Sequence, residues 1–177
     1  MHMMQAGNST LLVIDIQARL MPAIHGGAEV VANANRLIAA ANLLGVPIFA
    51  TEQNPAKLGA TVEALTLPAG SVISKMTFDA ARESSLLKRI NPAHDIIVIG
   101  AEAHVCVLQT VLGLRDAGRN VFVVTDAIGS RNPDNRRAAI RRMARHGAEP
   151  VTTEMVVFEW LGSAEHPHFR EAVALIK

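Results

Sequence analysis

The sequence predicts an α/β protein whose mainly parallel sheet is covered by helices on both faces. Three observations carry that prediction. Short runs of Val, Ile and Leu without polar alternation recur along the chain, as strands buried on both faces require. Between them stand segments whose apolar residues recur at helical spacing. The two kinds alternate from one end of the chain to the other, which favours parallel pairing through helical crossovers. A chain of 177 residues fits a single domain, 1–177, with residues 1–9 expected as a flexible tail. No repeat, low-complexity stretch or linker divides it.

The first strand is Leu11, Leu12, Val13 and Ile14, ending at Asp15. A loop follows, closed by Gly26 and Gly27. A helix is predicted over 28–44, with Val31, Ala34, Leu37, Ile38, Ala41 and Leu44 on one face and Gly45 as its cap. Residues 46–50 make a second strand, with Pro47 at its entrance, where no ladder donor is needed. Residues 51–55 leave its carboxyl end, and 56–67 read as loop with at most a short helix. A short third strand, 72–74, ends at Lys75, and a helix is predicted over 80–90.

The fourth strand is the apolar run Ile96, Ile97, Val98 and Ile99 before Gly100. After it the spacing turns helical through Val105, Leu108, Val111 and Leu112, with Gly118 as a stop. Residues 120–125 form a fifth strand ended by Asp126. A basic helix over 133–146 is stopped by Gly147, and a sixth short strand covers 149–152. Helices over 154–161 and 168–176 close the chain.

Half of the residues are hydrophobic but only 3% are aromatic, and Tyr is absent, so the core must be aliphatic. Seventeen Lys and Arg stand against sixteen Asp and Glu, a net charge of +1. That balance gives no electrostatic case for nucleic acid or an anionic membrane. The arginines at 136, 137, 141, 142 and 145 are spread around one helix without aromatics and read as a solvated or subunit-facing surface. No apolar run approaches the roughly 20 residues of a membrane span. The start lacks a basic region, and its apolar run is broken by Asp15, so it does not read as a signal peptide. One cysteine excludes an internal disulfide and a Cys-based zinc cluster and fits a reducing cytoplasm. A mean hydropathy of +0.24 points to apolar surface and hence to self-association as a dimer or larger. The segment 127–135 falls beyond a strand's carboxyl end, within reach of a neighbour's site.

Four reactive or polar residues follow four strands in turn: Asp15, Glu52, Lys75 and Cys106. In an open parallel sheet the carboxyl ends share one edge, and ligands bind there. Taken singly, Asp15 reads as a turn cap, Lys75 as a solvated lysine and Cys106 as a buried structural thiol. Taken together they form a thiol with an acid and an amine. Lys75 and the start of the following helix are expected to favour the thiolate. Asp15 can take the thiol proton and later activate water. Attack on a carbonyl or imine carbon gives a covalent acyl or thioimidate enzyme. The main-chain N–H groups of Cys106 and its preceding turn are candidate oxyanion donors.

Gln17 and Gln53 are candidate substrate contacts, though ordinary loop polarity accounts for them equally well. Phe78 is a candidate pocket wall or a core residue. His104 either touches substrate or faces solvent or a partner subunit. His166 and His168 look like a metal pair only superficially and read better as caps of the last helix.

The motifs VIDIQ (13–17), SKMTFDA (74–80) and IGAEAHVCVLQT (99–110) resemble the isochorismatase-like cysteine hydrolases. TEQNPAKLGATVEAL (51–65) and HPHFREAVALIK (166–177) are most similar to the small isochorismatase domain-containing proteins, and VTDAIGSR (124–131) also fits the superfamily. The resemblance implies a three-layer, Rossmann-like fold with six strands in the order 3-2-1-4-5-6, and self-association. It implies a catalytic triad of Asp15, Lys75 and Cys106. It further implies a non-proline cis bond between Ala101 and Glu102, with the amides of Glu102 or its neighbours and Cys106 forming the oxyanion hole. Nicotinamidases of the superfamily carry an Asp-x-His plus His metal site after strand two. Here that place holds Thr51, Glu52, Gln53, Asn54 and Pro55, which implies no bound metal and no cofactor. Cys106 argues against the vinyl-ether hydrolysis of isochorismatase proper, which lacks the cysteine.

The function expected is metal-independent hydrolysis of a C–N bond in a small amide or imide. One rival is a regulatory small-molecule-binding member of the same fold without useful turnover. A nucleotide-binding Rossmann protein is disfavoured, because Asp15, Ile16 and Gln17 follow strand one where G-x-G-x-x-G would be needed.

Overall fold

The structure is a computed structural model that describes residues 3–177. Six strands form one sheet: β1 (Ser9–Ile14), β2 (Ile48–Gln53), β3 (Val72–Lys75), β4 (Asp95–Ala101), β5 (Val121–Gly129) and β6 (Glu149–Val151). Their order is β3-β2-β1-β4-β5-β6, and every neighbouring pair is parallel. The chain therefore starts in the middle of the sheet, builds outward to β3, returns to β4 and builds out the other way. The order reverses beside β1 and β4, at the place where such sheets bind ligands.

Alternate residues of the central strands feed two cores. Leu11, Val13, Ile97, Ile99, Phe122 and Val124 face helices α1 (Gly27–Leu44), α6 (Thr153–Leu161) and α7 (Phe169–Leu175). Leu12, Ile14, Ile96, Val98, Val121 and Val123 face α4 (Leu108–Asp116) and α5 (Pro133–Arg145). With both faces covered, β1 and β4 are buried at every position. That is why they read as unbroken apolar runs.

Several boundaries differ from the sequence reading, each for a local reason. The tail expected over 1–9 is packed from Met4 onward; residues 1 and 2 lie outside the described residues. Met4 is 0% exposed within the first core, and its N–H donates to Glu159 at 2.7 Å. Ser9 begins β1, and its hydroxyl accepts from the Trp160 indole at 3.1 Å. β2 runs on through Thr51, Glu52 and Gln53, because β3 pairs with those residues up to Gln53 against Lys75. Glu52 is thus inside the strand, where its carboxylate accepts from the Thr61 N–H at 2.7 Å and ties back the returning loop. That loop holds the short α2 (Pro55–Leu58).

The helix expected over 80–90 is broken into a 3-10 turn, Ala80–Arg82, and α3 (Ser84–Leu87). Glu83 between them is extended, and its carboxylate accepts from the Thr77 hydroxyl at 2.9 Å. The segment also wraps onto α4, where the Ala80 N–H donates to the Thr110 hydroxyl at 2.9 Å. Gly113 makes room for it: a Cβ there would lie 2.5 Å from the Asp79 carboxylate. β5 continues past Asp126 because pairing with β4 slips and resumes, from Val98 against Val123 to Gly100 against Ile128. Asp126 leaves the ladder at that slip and accepts from the Thr153 N–H at 2.9 Å.

One glycine on this edge has no substitute. Gly100 has φ 133, and a Cβ on it would lie 2.0 Å from the carbonyl oxygen of Ile14. The backbones of β4 and β1 approach too closely there for any side chain, and the conformation favours glycine as well. Gly100→Ala is expected to cost more than about 3 kcal/mol in a urea titration, or to prevent folding. Gly7→Ala, where a Cβ meets nothing within 4 Å, should change stability by less than about 0.5 kcal/mol. Equal midpoints for the two variants would show that the close approach is not a constraint.

Candidate active site

The sheet order turns four separated segments into one row along its carboxyl edge. Asp15 follows β1 directly, Gln53 ends β2, Lys75 ends β3, and the turn after β4 brings Cys106 in from the other side of β1. Asp15 has φ 49, a left-handed conformation that Asp tolerates better than most residues. Its N–H donates to the Thr51 carbonyl at 3.1 Å, which extends the ladder by one bond and fixes where the carboxylate points.

Asp15 and Lys75 form a fully buried ion pair, Nζ to Oδ2 at 2.7 Å with both side chains 0% exposed. Every polar valence around it is used. The other Asp15 oxygen accepts from the Thr51 hydroxyl at 2.7 Å. Lys75 has three donors, and they reach Asp15, the Gln53 side-chain oxygen at 2.9 Å and the Thr77 carbonyl at 3.2 Å. The Gln53 amide nitrogen is held in turn by the Met76 carbonyl at 2.8 Å.

Cys106 is buried and lies in a π-helical turn, Ala103–Val107, that leads into α4. The charges of Asp15 and Lys75 both bear on its thiol. The sequence reading expected Lys75 and the helix start to favour the thiolate. The environment does the reverse. Burial, followed by the Asp15 charge, pushes the thiol up to about 12, and Lys75 offsets only part of that. Lys75 is already neutralised by the carboxylate at 2.7 Å, so little of its field is left for the sulfur. Cys106 therefore rests as a neutral thiol.

The peptide bond between Ala101 and Glu102 is cis. The main-chain N–H of Glu102, a buried residue, has no acceptor among the described residues. Buried N–H groups without partners are rare in native proteins, and this one lies four residues before the thiol. The Glu102 carboxylate accepts from the N–H of Arg131 at 3.0 Å and from its Nε at 3.1 Å. The loop after β5 is thereby clamped to the nucleophile turn of its own chain.

A cavity of about 340 Å³ opens over this row. Asp15, Gln53 and Cys106 form its polar floor, while Glu102 and Arg131 form one wall. Two of the residues read from the sequence as substrate contacts line it, Gln53 and the half-exposed Phe78. Two do not. Gln17 is buried away from the cavity, with its amide spent on main chain: it donates to the carbonyls of Gln53 and Gly59 and accepts from the Gln53 N–H at 2.8 Å. Its role is to hold the end of β2 against the returning loop. His104 turns the other way, with Nδ1 on the Ser130 hydroxyl at 3.0 Å and Nε2 near the Asn135 amide at 3.4 Å. Side chains of a π-helical turn follow a wider period than those of an α-helix, which simple spacing from Cys106 does not anticipate. Thr51 and Arg131 are the site residues the sequence reading passed over. Thr51 carries no signal of its own, whereas Arg131 ends the motif VTDAIGSR.

Among the described residues no three His, Cys, Asp or Glu side chains converge as a metal site requires. His166 and His168 stand with ring centroids 5.9 Å apart at the start of α7, and His168 pairs with Glu171 at 3.0 Å. No helix of the described residues is long and apolar enough to cross a membrane.

Comparison with known proteins agrees with this fold. Isochorismatase domain-containing protein 1 of Danio rerio is 33% identical over 172 residues, covering 96% of this chain and 61% of that protein. The chain thus spans about six-tenths of that relative's length. A solved structure described as the MAR1 ribonuclease from Caenorhabditis elegans superposes with a TM-score of 0.91 at 35% identity, covering 99% of this chain and 92% of that one. YcaC from Pseudomonas aeruginosa, solved with hexane-2,5-diol and covalent acrylamide, superposes with a TM-score of 0.84 at 26% identity, covering 98% of this chain and 95% of the other. The model of the Isochorismatase domain matches residues 9–155, from the first residue of β1 into the first turn of α6. That stretch holds all six strands and the turn that carries Cys106, and the chain belongs to the isochorismatase family.

Proposed function

We propose that this chain hydrolyses a C–N bond of a small amide- or imide-type substrate, without a metal or cofactor, through Cys106, Asp15 and Lys75. One observation carries the reading. The Asp15 carboxylate sits between a buried ammonium and the thiol of the only cysteine, on the floor of a cavity.

In this mechanism the resting thiol is neutral and Asp15 is its base. As the sulfur adds to the substrate carbonyl carbon, the thiol proton passes to Asp15. The oxygen that gains the negative charge is received by the Glu102 N–H and its neighbour at Cys106. Collapse of the tetrahedral adduct breaks the C–N bond, and the nitrogen leaves with the proton that Asp15 held. The acyl group stays on sulfur as a thioester. Water, deprotonated by Asp15, then adds to it and releases a carboxylic acid and the thiol. Lys75 holds the Asp15 carboxylate in position at 2.7 Å and steadies the charge near the sulfur. Thr51 and Gln53 hold the pair in place.

The C. elegans structure's description as a ribonuclease does not transfer easily. The cavity is at the lower end of the small-molecule range of roughly 300–1,000 Å³, and its nucleophile is a buried thiol. The chain's near-zero net charge adds no steering for RNA. Self-association is part of the proposal, supported by large apolar side chains left open to solvent: Met76 at 70%, Met155 at 44% and Phe158 at 45% exposure. A cytoplasmic location fits a nucleophile that must stay reduced.

Intact-protein mass spectrometry separates the roles. Once a screen of small amides yields a substrate, Cys106→Ala should show no adduct and no turnover. Asp15→Asn should lose about 10²–10⁴-fold in turnover, and any thioester it forms should persist. Lys75→Ala, if its circular dichroism is native, should slow adduct formation more than its clearance. Clearance by Asp15→Asn at the wild-type rate would remove Asp15 as the base.

The state of the resting thiol has its own test. The chain contains no Tyr, so ultraviolet absorbance in alkaline solution reports the thiolate without tyrosinate. Subtraction of a Cys106→Ser titration isolates it. The expected result is almost no thiolate at pH 9, where an ordinary thiol of pKa 9.0 is half ionised, because this one is pushed up to about 12. The sign follows from the causes: burial and the Asp15 charge both disfavour the anion, so ionisation moves to higher pH. In Asp15→Asn one of those causes is gone, and the onset should move down. Half-ionisation below pH 8 in the wild type would mean that Lys75 governs the sulfur after all.

A further inference from the structure

We propose that the cavity takes an uncharged substrate with a small apolar acyl side and turns away substrates that carry a carboxylate. This rests on the cysteine-hydrolase reading above and adds the substrate class to it. The argument is one of charge compensation. One cation, Arg131, lines the cavity, and Lys75 is the buried partner of the lining residue Asp15; both are paired within the chain. Lys75 gives its three donors to Asp15, Gln53 and the Thr77 carbonyl, leaving none for a ligand. Arg131 gives Nε to Glu102 at 3.1 Å, and its guanidinium is 64% exposed on the solvent side of that carboxylate. The Glu102 side chain is 9% exposed on the same wall. A ligand carboxylate drawn toward Arg131 therefore comes up against Glu102, and one drawn to the floor meets Asp15.

The rest of the lining is apolar: Leu20, Ala23, Leu58, Phe78 and Val105. Such walls bind a hydrocarbon group by burial and offer nothing to a charged one, which would lose its hydration without a partner. About 340 Å³ is room for a compact aliphatic or single-ring group. The same charges act on the product. Hydrolysis adds water across the acyl–nitrogen bond, so a neutral primary amide leaves as a carboxylate and an ammonium ion. The carboxylate is formed in a cavity lined by Asp15 and Glu102, where no cation outside an ion pair is present to hold it. A neutral substrate is thus retained and an anionic product expelled by one arrangement.

A matched pair of reagents tests this without knowing the substrate. Iodoacetamide and iodoacetate differ little in size, and in each the sulfur displaces iodide into solvent while the thiol proton passes to a base, but only the second is charged. Because Cys106 is the only cysteine, the intact mass of the full chain reads its alkylation directly. The rate ratio of iodoacetamide to iodoacetate at neutral pH is divided by the same ratio for N-acetylcysteine. The expected quotient is about tenfold or more. In Glu102→Gln, which uncovers the Arg131 charge, the quotient should fall toward one. In Arg131→Gln, which uncovers Glu102, it should stay high or rise. N-butyl iodoacetamide should outpace iodoacetamide on Cys106, beyond their difference on the free thiol. A wild-type quotient of one or less overturns the charge preference, even if amide turnover is lost in Cys106→Ala and the hydrolase reading stands. Failure of every reagent to modify folded protein overturns the nucleophile itself and the preference with it.

Discussion

The ion pair between Asp15 and Lys75 is the constraint on which the rest of the site depends. Two charges taken fully out of water cost several kcal/mol each, on the order seen for buried ions. The fold offsets this with a 2.7 Å contact and a complete set of second partners. Thr51, Gln53 and Thr77 fill the remaining valences, and Gln53 is itself fixed by Met76 and Gln17. The ends of three strands are tied to one another through these side chains. Loss of either ion would leave the other buried without a partner, which is why such pairs act as an all-or-nothing device in a fold.

That pair also decides the chemistry left to Cys106. An unpaired lysine beside a thiol would lower its pKa and give a standing thiolate. Here the lysine is spent on the acid, and the acid's own charge bears on the sulfur. Both effects leave the thiol protonated, with burial as the largest cause. In the proposed mechanism a base must therefore act at the moment of attack, and Asp15, whose charge bears on the sulfur, is the group assigned to it.

The fold was legible because the sheet is buried on both faces. Ile96, Ile97, Val98 and Ile99 have no polar neighbours to blur them, and the crossovers carry clean helical periods. The ends of elements were less legible, since they are set by partners distant in sequence. Thr51 and Gln53 look like loop but are strand, because β3 pairs with them. Residues 80–90 have helical spacing, yet Glu83 and Ala80 are claimed by Thr77 and Thr110. Of the site, Asp15, Lys75 and Cys106 could be read from their places at strand ends. The burial of the thiol beside the Asp15 charge could not, and these reverse the expected state of the thiol. Gln17 shows the same limit: its amide is polar for the sake of three main-chain atoms.

A thiol kept neutral has a consequence beyond catalysis. Alkylation, oxidation and disulfide exchange all begin from the thiolate, so a resting site of this kind reacts slowly with reagents that do not seat in the cavity. Reactivity returns only when a bound electrophile draws the proton toward Asp15. That restraint requires that Asp15 stay paired, since a mobile Lys75 would pass its charge to the sulfur. The density of hydrogen bonds around Lys75 is more than is needed to hold one side chain in place. It is what is needed to keep one charge from doing a second job.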